Sequence, residues 1–211
     1  MSLLECLIAI ALCAILLNPL LQVSGQLVQK QIEYEKAQLL TSEAERALEL
    51  IGRAIRMAGY RNIQGGHVSS NTSYDHNDMI AIQKRSGYRG SDAITIRHAL
   101  SDGVDFDCIG NVLNSDRTKQ GLALQGFLVD RQASLPKGHR ANGGSLICQS
   151  LDRQGRLQNT TLMNGVNALK IEELTLPNST TQKAYKIQLE MTDGAMLHQG
   201  FERTFTTRNR L

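Results

Sequence analysis

Among 211 residues, the one whose chemistry most demands an explanation is Glu5. It is the only charged residue before Lys30, and it sits in the apolar run MSLLECLIAIALCAILLNPLLQVS of residues 1–24. A charge in hydrocarbon costs at least about 2.5 kcal/mol on insertion scales, so an acid there calls for a partner or for a helix-end position from which it snorkels. The four cysteines fall into two pairs. Cys6 and Cys13 share the apolar run and stand about 10 Å apart along one helix face, too far to bridge each other, and read as small apolar packing residues. Cys108 and Cys148 lie in the polar remainder. No Cys-x-x-Cys spacing exists, and His67, His76, His98, His139 and His198 occur singly. A metal pair or a catalytic thiol is therefore disfavoured.

Two acidic groups remain. Asp75-His76-Asn77-Asp78 offers hard oxygen ligands on a loop, which makes Asp75 and Asp78 weak candidates for a cation, but the spacing is not that of an EF-hand and a solvated turn explains it better. Asp102, Asp105 and Asp107 flank Val104 and Phe106, and alternation sets Asp105 and Asp107 on the solvent face of a strand. No Gly-x-Ser-x-Gly elbow is present, and Gly65-Gly66 is too bare for a phosphate loop. The expectation is a non-enzymatic chain without a cofactor or a metal.

These residues must be carried by an anchor and one ordinary domain, which is what 211 residues allow. A net charge of +3 is too small to argue for nucleic acid or anionic lipid, and with no Trp and 4% aromatics, stacking platforms are scarce. The apolar core Cys6–Leu17 falls short of the roughly 20 residues of a spanning helix, although Leu3, Leu4, Leu20, Leu21 and Val23 extend it. A secretory signal should begin with Lys or Arg and end at a small-residue cleavage site, and this run has no basic residue. A membrane anchor is the better reading.

Ser2-Leu3-Leu4-Glu5 followed by Leu7-Ile8-Ala9-Ile10-Ala11-Leu12 resembles the mature N-terminus of type IV pilins and pseudopilins. The resemblance implies that a leader peptidase cuts just before residue 1, and that Glu5 is matched by the N-methylated terminal amine of a neighbouring subunit, the amine of Met1. The chain departs from the family in carrying Met there instead of the usual Phe. An amine and a carboxylate buried together are tolerable where either alone is not. An exported head also sits in an oxidising compartment, where two thiols usually pair, so a Cys108–Cys148 disulfide is expected.

From Gln26 to Tyr60 the pattern turns amphipathic. Leu40, Ala44, Ala47, Ile51, Ala54 and Ala58 recur every three or four residues, Leu48 and Ile55 widen the stripe, and Glu43, Glu45, Arg46, Glu49, Arg53 and Arg56 fall largely opposite. One helix from about Ser2 to Ala58 would be on the order of 85 Å long, with Pro19 and Gly25 the places where it should bend or unwind. Its ending, Arg56-Met57-Ala58-Gly59-Tyr60, resembles the first-helix ending of PilW-type minor pilins. Ser91-Asp92-Ala93-Ile94-Thr95-Ile96-Arg97 is similar to that family's first clear strand, and the tail from Phe201 to Arg210 to its closing strand.

After a turn-rich loop over residues 61–78, strands are predicted at Met79–Lys84, Ala93–His98, Val104–Ile109, Leu122–Asp130, Ser145–Leu151, Val166–Leu176, Ala184–Thr192 and Phe201–Thr207. No further helix-length pattern follows, so the fold class is α+β, with an antiparallel sheet packed on the helix as in the type IV pilin fold. The organisation expected is an apolar half-helix over 1–25, an amphipathic half over 26–60, and a β-rich head over 61–211 that packs with 26–60. The resemblance implies a minor pilin that helps initiate a type IV pilus and joins it at or near the tip. Its partners would be other minor pilins, the major pilin and a tip adhesin, and it would wait in the bacterial inner membrane with a periplasmic head. The alternatives are a large J-like pseudopilin of type II secretion and a membrane-anchored periplasmic binding module. Arg203, Arg208 and Arg210 make a basic tail too small to support DNA capture.

Overall fold

The computed structural model describes residues 3–61, 79–133, 142–174 and 182–208. The chain divides into two compact units, one ending at Leu39 and the other beginning at Leu40.

Helix α1 is uninterrupted from Leu3 to Met57, with Pro19 inside it. Where the sequence predicts a bend or local unwinding, residues 19 and 25 stay helical. A proline removes one donor from the ladder, and the turns on either side remain helical. In the first unit the helix buries almost nothing. Leu27, Val28 and Ile32 are as exposed as the residues before them, so packing of the amphipathic stripe begins at Leu40 and not at Gln26.

In the second unit the whole stripe goes inside. Leu40, Ala44, Ala47, Leu48, Ile51, Ala54, Ile55 and Ala58 are all buried, and join the sheet's Ile94, Ile96, Phe127, Leu146, Leu169, Ile187 and Leu189 in one core. Each large aliphatic side chain contributes about 1.5–3 kcal/mol by leaving water, and the alanines let the helix lie close. Gly59, at φ +69°, ends the helix in the left-handed conformation that costs glycine nothing. Its N–H donates to Arg97 O at 3.2 Å, and Ala99 N–H donates to Tyr60 O at 2.8 Å. The Ala-Gly-Tyr ending thus ties the helix directly to a strand.

The sheet is a seven-stranded antiparallel meander in which each strand pairs with the next. Its strands are β1 Ile80–Gln83, β2 Ala93–Ala99, β3 Leu122–Arg131, β4 Gly144–Leu151, β5 Leu157–Leu174, β6 Ala184–Thr192 and β7 His198–Thr206. The α+β class is as the sequence predicts, and β6 has the predicted bounds.

Two strands differ. Val104–Ile109 is not a strand and contributes only a Phe106–Val112 bridge. The Asp107 carboxylate accepts Ile109 N–H at 2.9 Å and Asn111 N–H at 2.8 Å, which turns the chain back on itself. Asp107 is consequently buried, not on a solvent face as alternation suggested. Strand β5 starts nine residues before the predicted Val166, and its first half pairs with β4 while its second pairs with β6. Val166 marks the crossing, opposite both Gly144 and Met191. Gly165 before it has φ +82°, and a Cβ there would stand 2.8 Å from Thr192 O. No larger residue fits that corner without strain.

The fork leaves one edge of β5 without a strand. Ser91 and Asp92 fill it: Asp92 N–H donates to Leu169 O at 2.8 Å, Leu169 N–H to Ser91 Oγ at 3.2 Å, and Ile171 N–H to Asp92 Oδ2 at 2.9 Å.

Candidate functional site

The helix to Leu39 is the first site. All twelve large aliphatic residues between Leu3 and Val23 are exposed, from 52% at Ile8 to 80% at Leu3. The segment is long and apolar enough to cross a membrane. Glu5 lies in its first turn, where the helix N-terminus favours a negative charge. The same turn carries the free, exposed Cys6, with Cys13 two turns on. Met1, the expected source of the partner amine, lies outside the described residues.

The head is stapled. Cys108 and Cys148 form a disulfide with Cα atoms 6.1 Å apart, joining the excursion between β2 and β3 to the middle of β4. Arg117 reinforces the same junction, lying 3.7 Å from Asp107 Oδ2 and donating to Leu151 O at 3.5 Å. This fixes an irregular segment that has little regular hydrogen bonding of its own.

Asp105, Asp152 and Asp92 are absorbed into the structure of the head. Asp105 accepts the N–H and the hydroxyl of Ser101 at 2.6 and 2.8 Å. Asp152 accepts from Gln154 N and Arg156 N and pairs with the Arg156 guanidinium at 2.9 Å. At the fork, burial pushes the Asp92 carboxyl up, but the N–H groups of Ile171 and Arg85 and the Lys84 ammonium outweigh it, leaving Asp92 below the usual carboxylate range. The Lys84 ammonium also donates to Ile171 O, adding one more partner along the open edge.

His98 is buried beneath α1, with Nδ1 2.9 Å from Ala99 O and Nε2 3.2 Å from Gln125 Nε2. A ring that donates from Nδ1 and accepts at Nε2 is neutral. Burial pushes its pKa down, opposed by the Ala99 carbonyl and Asp105 and assisted by Arg53. These are the marks of a satisfied core histidine and not of a proton-transfer group.

Asp75 and Asp78 lie outside the described residues, and among the described residues no group of three His, Cys, Asp or Glu is placed to hold a metal ion. The helix-distal face of β5–β7 carries the Lys186–Glu202 ion pair at 2.8 Å, and His198 Nδ1 lies 3.3 Å from Glu190 Oε1. Sequence reasoning missed Lys84, Ser91, Asp92 and Arg117. Each acts across at least seven residues of chain, so local patterning carries no signal for it. Ser91 and Asp92 stand in the sequence only as the start of a strand-like segment, without a sign of this role.

No protein-family model, curated protein or solved structure matches this chain. What the fold defines is a class: an α+β chain with one long N-terminal helix, bare and apolar at its start, whose last turns pack on a disulfide-stapled antiparallel sheet.

Proposed function

We propose that the protein is a non-enzymatic assembly subunit, a minor pilin of the PilW-like kind, held in the inner membrane with its head in the periplasm until it joins a type IV pilus at or near the tip. One observation carries this reading. The aliphatic side chains of residues 3–23 are exposed on every side of the helix, without an internal partner. Such a surface is stable in lipid, and equally when the helices of neighbouring subunits replace lipid around it. Glu5 carries a carboxylate into that bundle, and on this reading a neighbour's terminal amine sits beside it there. The disulfide supports an oxidising compartment for the head.

Protease treatment of intact spheroplasts tests the orientation. The head should be digested from outside while the chain stays with the alkali-washed membranes. A chain released by the wash, or a head protected until the membrane is lysed, would overturn the reading.

A further inference from the structure

The edge strands of the sheet, β1 and β7, are unlike each other. β1 has four residues, whereas β7 has nine and pairs with β6 along its whole length without a register shift. Hydrogen bonds just beyond the strand ends give the phase of that ladder: Thr207 N–H donates to Lys183 O at 2.9 Å, and Asp193 N–H to Leu197 O at 3.3 Å. Every second pair of an antiparallel ladder is bonded, so the odd-numbered residues of β7 direct their N–H and C=O groups to β6. Those of His198, Gly200, Glu202, Thr204 and Thr206 point away from the sheet, and among the described residues they have no partner.

Soluble sheets guard such an edge with proline, lysine, a bulge or a covering segment. This fold does so at the open side of β5, where Ser91, Asp92 and Lys84 fill the ladder. β7 has no proline, lysine or bulge. Its charged side chains turn back onto the fold, Glu202 to Lys186 and Gln188 of β6 and Arg203 to Glu45 of α1. Gln199, Arg203 and Phe205 meet the helix, so Gly200 belongs to the opposite face. A pocket of about 430 Å³ lies there, beside the edge. Two small residues make it: Ala168 and Gly200 stand either side of Glu190 in one row across β5, β6 and β7, and a Cβ on Gly200 would touch nothing within 4 Å. Glu190 Oε1 accepts from Asn167 Nδ2 at 2.8 Å and lies nearest His198, which leaves Oε2 to accept another donor.

We propose that the free edge of β7 takes an extended segment of a partner protein as a further, antiparallel strand, with a tyrosine of that segment seated over Gly200. Alternate N–H and C=O groups in a straight row are matched by an extended backbone and by little else. The side chain opposite Gly200 enters a slot that has no side chain of its own, and an aromatic ring is the group that covers an edge glycine. Strands lie about 4.8 Å apart, so a ring laid across Gly200 carries a tyrosine hydroxyl to Glu190, whose Oε2 accepts it. A second copy of this chain does not supply that ring from its own β7. Its free edge also presents even-numbered residues, and Phe201 and Phe205 are odd. The docking uses only the head and stands independently of the assembly reading.

The test uses the full-length chain in lipid nanodiscs and fluorescein-labelled peptides read by anisotropy. The probe is Ser-Val-Thr-Val-Tyr-Val-Thr-Val-Ser. Two isomers carry N-methyl groups, one on both threonines, whose N–H groups share the tyrosine's side of the ladder and face β7, the other on the two valines beside the tyrosine, whose N–H groups face away. A third control has Ala for Tyr. The probe and the valine-methylated isomer should bind saturably, with the threonine-methylated isomer and the alanine control weaker by about tenfold or more. Thr204→Pro removes one free-edge N–H and no bond to β6, and should weaken the probe to the same extent. Gly200→Val should weaken the probe towards the alanine control. Both positions are exposed, an unchanged melting temperature confirms that each variant folds, and the methylated pair decides the matter without any variant. No saturable binding, equal binding of the two methylated isomers, or an alanine control as tight as the probe would each overturn the proposal. So would self-association of the chain that Thr204→Pro dissolves and that the probe does not displace, which would give the edge to a second copy.

Discussion

Residue 52 of α1 has no side chain, and the Phe205 ring of β7 occupies the space one would need. A Cβ on Gly52 would lie 2.2 Å from ring carbon Cε1. The last strand therefore keys into the helix, and Arg56 stacks over the same ring with its guanidinium 5.8 Å from the centroid. Gly52→Ala gains about 1 kcal/mol of helix propensity, but forcing a methyl into a filled site costs about 1–3 kcal/mol. The net expectation is a lower Tm, partly restored by adding Phe205→Leu, because residues in contact do not act additively. A raised Tm for the single variant would show that the ring yields.

Cross-linking residues 40 apart removes unfolded-state freedom worth about 4 kcal/mol in the chain-entropy description. Cys108→Ser, or reduction of the native protein, should lower stability in urea melts by about 3–4 kcal/mol. The Arg117–Asp107 pair remains, so the loss should stop short of unfolding the head. Identical melts with and without reductant would contradict this.

Asp92→Asn keeps the shape of the fork plug but turns one acceptor into a donor facing N–H groups. The cost should be about 1–3 kcal/mol, the penalty of an unsatisfied buried group. The charge also sets a pH dependence. The folded carboxyl titrates below its ordinary value, so on acidification the unfolded chain takes up the proton first. The stabilisation is complete above the usual aspartate range near 4 and is lost as pH falls below it. Wild type and Asp92→Asn should therefore converge in urea melts between pH 5 and pH 3, and a constant gap would show that the charge is not involved.

His98 acts at higher pH with the same sign. Its folded pKa is lowered, so above the ordinary histidine range near 6.5 both states are neutral and it contributes no slope. Below that range the unfolded chain protonates first and stability falls. His98→Gln should flatten the Tm profile between pH 7 and pH 5, and a profile as steep as wild type would assign the slope elsewhere.

Much of this fold is legible in the sequence where one side of an element is wet and the other dry. The α1 stripe from Leu40 to Ala58 and the Tyr185–Met191 alternation of β6 are such cases, and both lie as read. The first half of β5 escapes notice because it is written in Gln158, Asn159, Thr160 and Thr161, which offer no apolar alternation. The opposite failure occurs at Val104–Ile109, where alternation is present and the Asp107 carboxylate overrides it with a turn. Glu5 could be singled out early because a charge in an apolar run is conspicuous without any structure.

On the proposed reading the bare half-helix is a handle for assembly, and Glu5 makes it work. The most direct measurement is an immunoblot of sheared surface filaments and of membranes from cells producing the full-length chain or its Glu5→Ala variant. The expected result is wild-type chain in the filament fraction, with the variant retained in the membrane, its disulfide formed and its head folded. Normal incorporation of Glu5→Ala would contradict the charge pairing, and absence of the wild-type chain from filaments would contradict the assembly role itself.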